Sequence, residues 1–129
     1  IDVEDLTKHK MDSDLISVDT EAVQLVNKAK AEGRRICAVG TSVQRVLETA
    51  TLTGGMLKEY DGWTSKFIFP EYDFHVANCM IANFYAPYST MLMLTTAFGG
   101  YDNVMNAYNV AVKEGYRFGL YGDAMLIID

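Results

Sequence analysis

Arg34-Arg35-Ile36-Cys37-Ala38-Val39-Gly40-Thr41-Ser42 is the stretch on which the fold turns. The apolar run Ile36 to Val39 has the length of a strand buried on both faces, as in a parallel sheet. Gly40, Thr41 and Ser42 form a tight connection out of it. Beyond them, Val43, Val46, Leu47 and Ala50 recur at helical spacing. On the other side, Asp19 is placed to cap a helix whose apolar positions are Ala22, Leu25, Val26 and Ala29, and Gly33 is placed to stop it. Helix, strand, tight turn, helix is α/β grammar.

The rest extends this pattern. Thr53, Gly54 and Gly55 mark a turn, and Lys66 to Phe69, Phe74 to Ala77 and Cys79 to Ala82 are candidate strands. Asn83 to Tyr88 reads as a loop, from which Ser89 or Thr90 caps a helix reaching about Phe98. Asp102 is expected to cap the next helix, with Val104, Ala107, Tyr108, Ala111 and Val112 inward and Gly115 at its end. Ala124 to Ile128 closes the chain as a strand.

The composition bounds the function. The chain has 129 residues, half of them apolar and 22% charged, with two prolines; this suits one compact unit and excludes a low-complexity or disordered chain. Eleven basic against seventeen acidic residues give a net charge of -6, the wrong balance for a non-specific nucleic-acid coat. A local basic patch of Lys8, Lys10, Lys28, Lys30, Arg34 and Arg35 stays open. Cys37 and Cys79 lie in apolar runs and are expected to be buried free thiols, with no metal ligand set at zinc spacing. No apolar run approaches the ~20 residues of a membrane helix. No signal peptide is visible, so a cytoplasmic location is expected. The chain begins at Ile1 in a polar stretch, which reads as a cut from a longer protein.

Three connections concentrate polar groups. Gly40, Thr41 and Ser42 stand between strand and helix, where unpaired amides and the helix dipole suit a phosphate or carboxylate; the alternative is an ordinary capped turn. Arg45 and Glu48 follow on that helix, either as a surface ion pair or facing a ligand. The second connection holds Asn83, Ser89 and Thr90 among aromatic residues. The third holds Arg117, Tyr121 and Asp123 among glycines. His75 reads as a strand-surface residue and the single Trp63 as core. His9, in a charged segment, could act as a general acid or base.

Taken together these stretches resemble the S-adenosylmethionine:tRNA ribosyltransferase-isomerase family of queuosine biosynthesis. The likeness is carried by His9, Met11, Ser13 and Asp14; by Ala38-Val39-Gly40-Thr41 with Arg45, Leu47 and Glu48; and by Trp63-Thr64, Phe67-Ile68, Pro70, Tyr72 and Phe74. It continues through Asn83-Phe84, Pro87, Ser89-Thr90 and Leu92-Met93-Leu94, and ends in Tyr116-Arg117-Phe118 and Tyr121-Gly122-Asp123-Ala124-Met125-Leu126-Ile127. The order is collinear over nearly the whole chain. Asp12, Tyr85, Ala86 and Tyr88 depart from the family pattern, the first two where it has histidine.

The resemblance implies an α/β fold, a mixed sheet with flanking helices, forming the C-terminal half of the family's α/β domain without its inserted β-barrel. It implies S-adenosyl-L-methionine as co-substrate, tRNA as partner, no metal and no membrane, in a monomer or homodimer. The ribosyl group would move to the 7-aminomethyl-7-deazaguanine base of tRNA to form epoxyqueuosine. The residue chemistry then suggests Gly40, Thr41, Ser42, Arg45, Asn83, Ser89, Thr90, Arg117 and Tyr121 for binding, and Asp123, Glu48 and His9 for acid–base work. The 129 residues alone are expected to be inert. The alternative is a diverged nucleotide- or RNA-binding module on the same fold without transfer.

Overall fold

A computed structural model describes residues 14–64, 66, 68, 72–85, 89–118 and 122–128. His9 and Tyr121 lie outside these residues, as do Asp12, Ala86 and Tyr88. Among the described residues nine elements follow in order: β1 (Asp14–Val18), α1 (Thr20–Ala31), β2 (Cys37–Val39), α2 (Thr41–Thr49), β3 (Tyr60–Thr64), β4 (Cys79–Asn83), α3 (Thr90–Gly99), α4 (Tyr101–Glu114) and β5 (Ala124–Ile127).

The strands form two sheets. β1 and β3 pair antiparallel, with Leu15 opposite Trp63. The other sheet has the order β2-β4-β5, parallel between β2 and β4 and antiparallel between β4 and β5, so it is mixed, as expected. Ala38, Met80 and Ile127 share one register row and one face, and this face carries the core. Leu47 and Ala50, at the end of α2, pack with Ala38. Leu94 of α3 packs on Met80 and Ala82, while Val104, Tyr108 and Ala111 of α4 meet Ile127. α2, α3 and α4 therefore all lie on that one side.

Capping follows the sequence where the cap is local. The Asp19 carboxylate accepts from the Ala22 amide at 2.9 Å, and the Ser89 hydroxyl accepts from the Leu92 amide at 3.1 Å. Gly33 and Gly115 follow α1 and α4 with positive φ, as their spacing predicts.

Other expectations are corrected. β2 is not buried on both faces: Ala38 is, but Val39 is 63% exposed, because β2 is an edge strand and every helix on this sheet lies on the Ala38 side. Cys37 is exposed, while Cys79 is buried, and both are free. Leu25 and Val112 point outward, so the core-facing stripes of α1 and α4 are narrower than the spacing implied. Gly100, not Asp102, caps α4, and Asp102 sits in its first turn. Residues 74–77 form no strand; the amides of His75 and Val76 turn instead toward a side chain described below. β1 and β3 were not foreseen, and Trp63 in β3 is exposed.

Candidate functional site

The parallel pair sets the geometry. β2 runs through Gly40 into α2, and α3 is the next element after β4. Both helices therefore begin beyond the carboxyl ends of adjacent parallel strands, where α/β folds place their ligands. Gly40 adopts φ 98° and ψ 156°, a backbone region nearly closed to other residues, and its amide donates to the Ile81 carbonyl at 2.8 Å. That bond ties the start of α2 to β4. No side chain caps α2, so its first-turn amides retain donor capacity and the positive end of the helix dipole.

Thr41, Ser42 and Arg45 of α2 line a cavity of about 200 Å³ together with Thr90, Met91 and Leu94 of α3 and with Lys66 and Ile68. Thr41 is buried, and the Arg45 Nε donates to the Lys66 carbonyl at 3.1 Å. The Lys66 ammonium stands 5.0 Å from the centre of the Tyr72 ring, a cation–π arrangement. Two cations, three hydroxyls and two helix starts meet here, and among the described residues no carboxylate lines the cavity. Four of the sequence-predicted residues come together in it, namely Thr41, Ser42, Arg45 and Thr90, with Gly40 at its edge in the chain. Lys66 was missed, since it stands in an irregular segment without periodicity.

Glu48 lies elsewhere. It forms no surface ion pair with Arg45; its side chain is fully buried and faces the 72–76 segment. Oε1 accepts from the Tyr72 hydroxyl at 2.9 Å and pairs with His75 Nδ1 at 2.8 Å. Oε2 accepts from the backbone amides of His75 at 3.0 Å and Val76 at 3.2 Å. Both oxygens are thus saturated, and the carboxylate organises the loop that leads into β4. Burial, reinforced by the Glu48 carboxylate, pushes the Tyr72 hydroxyl well above its ordinary pKa. His75 is therefore no strand-surface residue but half of a carboxylate–imidazole pair.

Asp123 closes a different turn. Its carboxylate accepts from the Arg117 amide at 2.7 Å, and its own amide donates to the Arg117 carbonyl at 2.9 Å. Between them Gly122 passes so close that a Cβ would lie 2.5 Å from the Arg117 carbonyl oxygen. The rings of Phe84, Tyr108 and Phe118 pack against one another, and the Tyr108 hydroxyl accepts from the Tyr85 amide at 2.7 Å. Asn83 ends β4 opposite Ala124. Ser89 is buried as the α3 cap. In the basic patch, Lys30 donates to the His75 carbonyl at 2.6 Å and Arg34 pairs with Glu32 at 2.7 Å.

A larger opening of about 650 Å³ lies between the 72–78 segment, the junction of α3 and α4, and β5. Among the described residues that line it there is none of the predicted site residues and no basic side chain. Size alone would select it; the convergence of helix starts and cations selects the smaller one.

The sequence profile of the queuosine biosynthesis protein family matches residues 1–127. The chain belongs to that family. It is 65% identical over 129 residues to the S-adenosylmethionine:tRNA ribosyltransferase-isomerase of Bacteroides fragilis, and 66% identical over 129 residues to that of Phocaeicola vulgatus. In both cases the match covers 100% of this chain and 37% of the relative, so the chain spans little more than a third of their length. The crystal structure of an S-adenosylmethionine tRNA ribosyltransferase from Thermotoga maritima superposes with a TM-score of 0.82 at 45% identity, over 88% of this chain and 40% of that one. The α/β architecture is thus that of the family. Among the described residues no helix is long and apolar enough to cross a membrane, and no group of three or more His, Cys, Asp or Glu residues is placed to hold a metal.

Proposed function

We propose that this chain supplies part of the active site of an S-adenosylmethionine:tRNA ribosyltransferase-isomerase. The reaction moves the ribosyl group of S-adenosylmethionine to the 7-aminomethyl-7-deazaguanine base of tRNA, forms epoxyqueuosine and releases adenine and methionine. The observation that carries this reading is the cavity at the starts of α2 and α3, lined by residues of three of the motifs by which the sequence resembles the family. Arg45, Lys66 and the uncapped amides of α2 suit an anionic group. The substrates offer two, the methionine carboxylate and a tRNA phosphate.

The cavity volume narrows this further. About 200 Å³ falls below the ~300–1,000 Å³ of pockets that enclose a whole ligand. It suits one end of a substrate, the remainder lying against surface that this chain does not provide. That agrees with relatives nearly three times as long. Thr41, Ser42 and Thr90 would donate to the anion, and Arg45 and Lys66 would fix its position. Asp123 and Glu48 have their carboxylates engaged in holding loops, which supports positioning roles for both.

The test uses a polypeptide of the relatives' full length that carries this chain, expressed in a bacterial strain lacking the family enzyme. Queuosine should return to the tRNA, and the purified protein should release adenine from S-adenosylmethionine only with precursor tRNA. Retained S-adenosylmethionine binding without adenine release would instead assign the chain to a binding module on the same fold.

A further inference from the structure

Lys66 is held at its backbone and again at the tip of its side chain. Its amide donates to the Thr64 hydroxyl at 3.1 Å, and its carbonyl accepts from the Arg45 Nε at 3.1 Å. Its ammonium stands 5.0 Å from the centre of the Tyr72 ring. That ring is itself fixed. The Tyr72 hydroxyl donates to the buried Glu48 carboxylate at 2.9 Å, and the rings of Phe74 and His75 lie edge to face with it, 5.0 and 6.2 Å away between centres. An aromatic partner has a consequence for a lysine that lines a cavity. A carboxylate would hold the ammonium but neutralise its charge. A ring face holds it through the quadrupole and leaves the charge available to an incoming anion. Among the described residues no carboxylate pairs with Lys66. Both oxygens of Glu48 are taken by other partners.

We infer that Tyr72 is a positioning residue for the cavity between α2 and α3: its ring holds the Lys66 ammonium at the cavity lining while leaving that charge free for a carboxylate or phosphate of the substrate. The inference rests on the reading of that cavity as the substrate-anion site. A lysine side chain gives up rotamer freedom when it engages a ligand, and one already resting on a fixed ring gives up less. A phenol that donates to a carboxylate also carries extra negative charge on its oxygen and ring, so Glu48 strengthens the attraction for the ammonium. Tyr72 does not line the cavity itself, so its contribution passes through Lys66.

The test uses the full-length polypeptide that carries this chain. Adenine release gives kcat/KM for S-adenosylmethionine at saturating precursor tRNA, and for tRNA at saturating S-adenosylmethionine. Lys66→Met should lower kcat/KM by about tenfold or more for one of the two, S-adenosylmethionine if its carboxylate seats in the cavity and tRNA if a phosphate does. Tyr72→Leu should lower it for that same substrate by about 3- to 10-fold. In the Lys66→Met background Tyr72→Leu should cost less than ~twofold, because the two residues act as a unit. Tyr72 also borders the larger opening. An equal loss in both backgrounds would assign its role there and overturn the inference. An isosteric series guards against loss of folding: Tyr72→Phe and its mono-, di- and trifluorinated ring analogues keep the shape while draining negative charge from the ring face. Here kcat/KM should fall stepwise, and a flat series would also overturn the inference. Lys66→Met without effect on either substrate would overturn the reading of the cavity itself, and the inference with it.

Discussion

Replacing Glu48 with leucine should unfold the protein more readily than almost any other single change at this site, and the structure says by how much. The carboxylate is fully buried and has four partners, two on each oxygen. Leucine has similar volume and no acceptor. The Tyr72 hydroxyl and the half-exposed His75 ring can turn toward water, but the backbone amide of buried Val76 cannot, and that of His75 can only in part. Each orphaned buried amide costs about 1–3 kcal/mol, and losing hydrogen bonds to a charged acceptor adds to this. Glu48→Leu should therefore destabilise by about 3–5 kcal/mol. With a urea dependence of ~1–3 kcal/mol per molar, the unfolding midpoint by far-UV circular dichroism should fall by more than ~1 M. Glu48→Gln separates structure from chemistry. Its carbonyl oxygen can keep both amides while its NH₂ group faces the Tyr72 oxygen and a His75 ring nitrogen, each able to accept in the right rotamer or tautomer. Its cost should stay near ~1 kcal/mol. A Glu48→Leu loss below 1 kcal/mol would refute the clamp. Abolished adenine release in a stable Glu48→Gln protein would instead make Glu48 a catalytic acid or base.

Two further outcomes are expected. Gln44 is completely buried on α2 and neither polar atom of its amide has a hydrogen-bond partner among the described residues, so Gln44→Leu should raise stability by about 1–2 kcal/mol in urea titrations. The Tyr72 hydroxyl is raised above its ordinary value by burial and by Glu48. Above pH ~10 the unfolded chain gives up this proton while the folded one keeps it, so stability present below pH 10 is lost as pH rises. Tyr72→Phe should flatten that alkaline decline in pH-dependent unfolding.

The sequence made the α/β core legible where the signal was local. The Asp19 cap, the strand-turn-helix of residues 37–49, β4 and the Gly115 stop all follow from neighbours in the chain. The β1–β3 pair was not legible, because its outward residues Leu15 and Trp63 are apolar and exposed, which erases the alternation that marks a half-buried strand. The same division holds at the site. Thr41, Ser42 and Arg45 could be placed together because one turn carries them. Lys66 could not, since only the tertiary path of an irregular segment brings it over Tyr72. Glu48 stood on a helix whose buried residues, Leu47 apart, are the polar Thr41, Gln44 and Glu48. Hydrophobic spacing therefore left it between a surface ion pair and a ligand, and the amides it binds lie 27 and 28 residues away.

The choice between the two cavities carries the functional reading, and one comparison decides it. Adenine release from S-adenosylmethionine with precursor tRNA would be measured in single turnover for full-length Lys66→Met and Thr41→Val, and for Asn103→Ala at the larger opening. Loss of a charge-assisted contact should slow the first two by about 10- to 100-fold, with Asn103→Ala within twofold of the unmodified protein. Unchanged rates in Lys66→Met and Thr41→Val, with a large loss in Asn103→Ala, would contradict the placement of the substrate anion between α2 and α3.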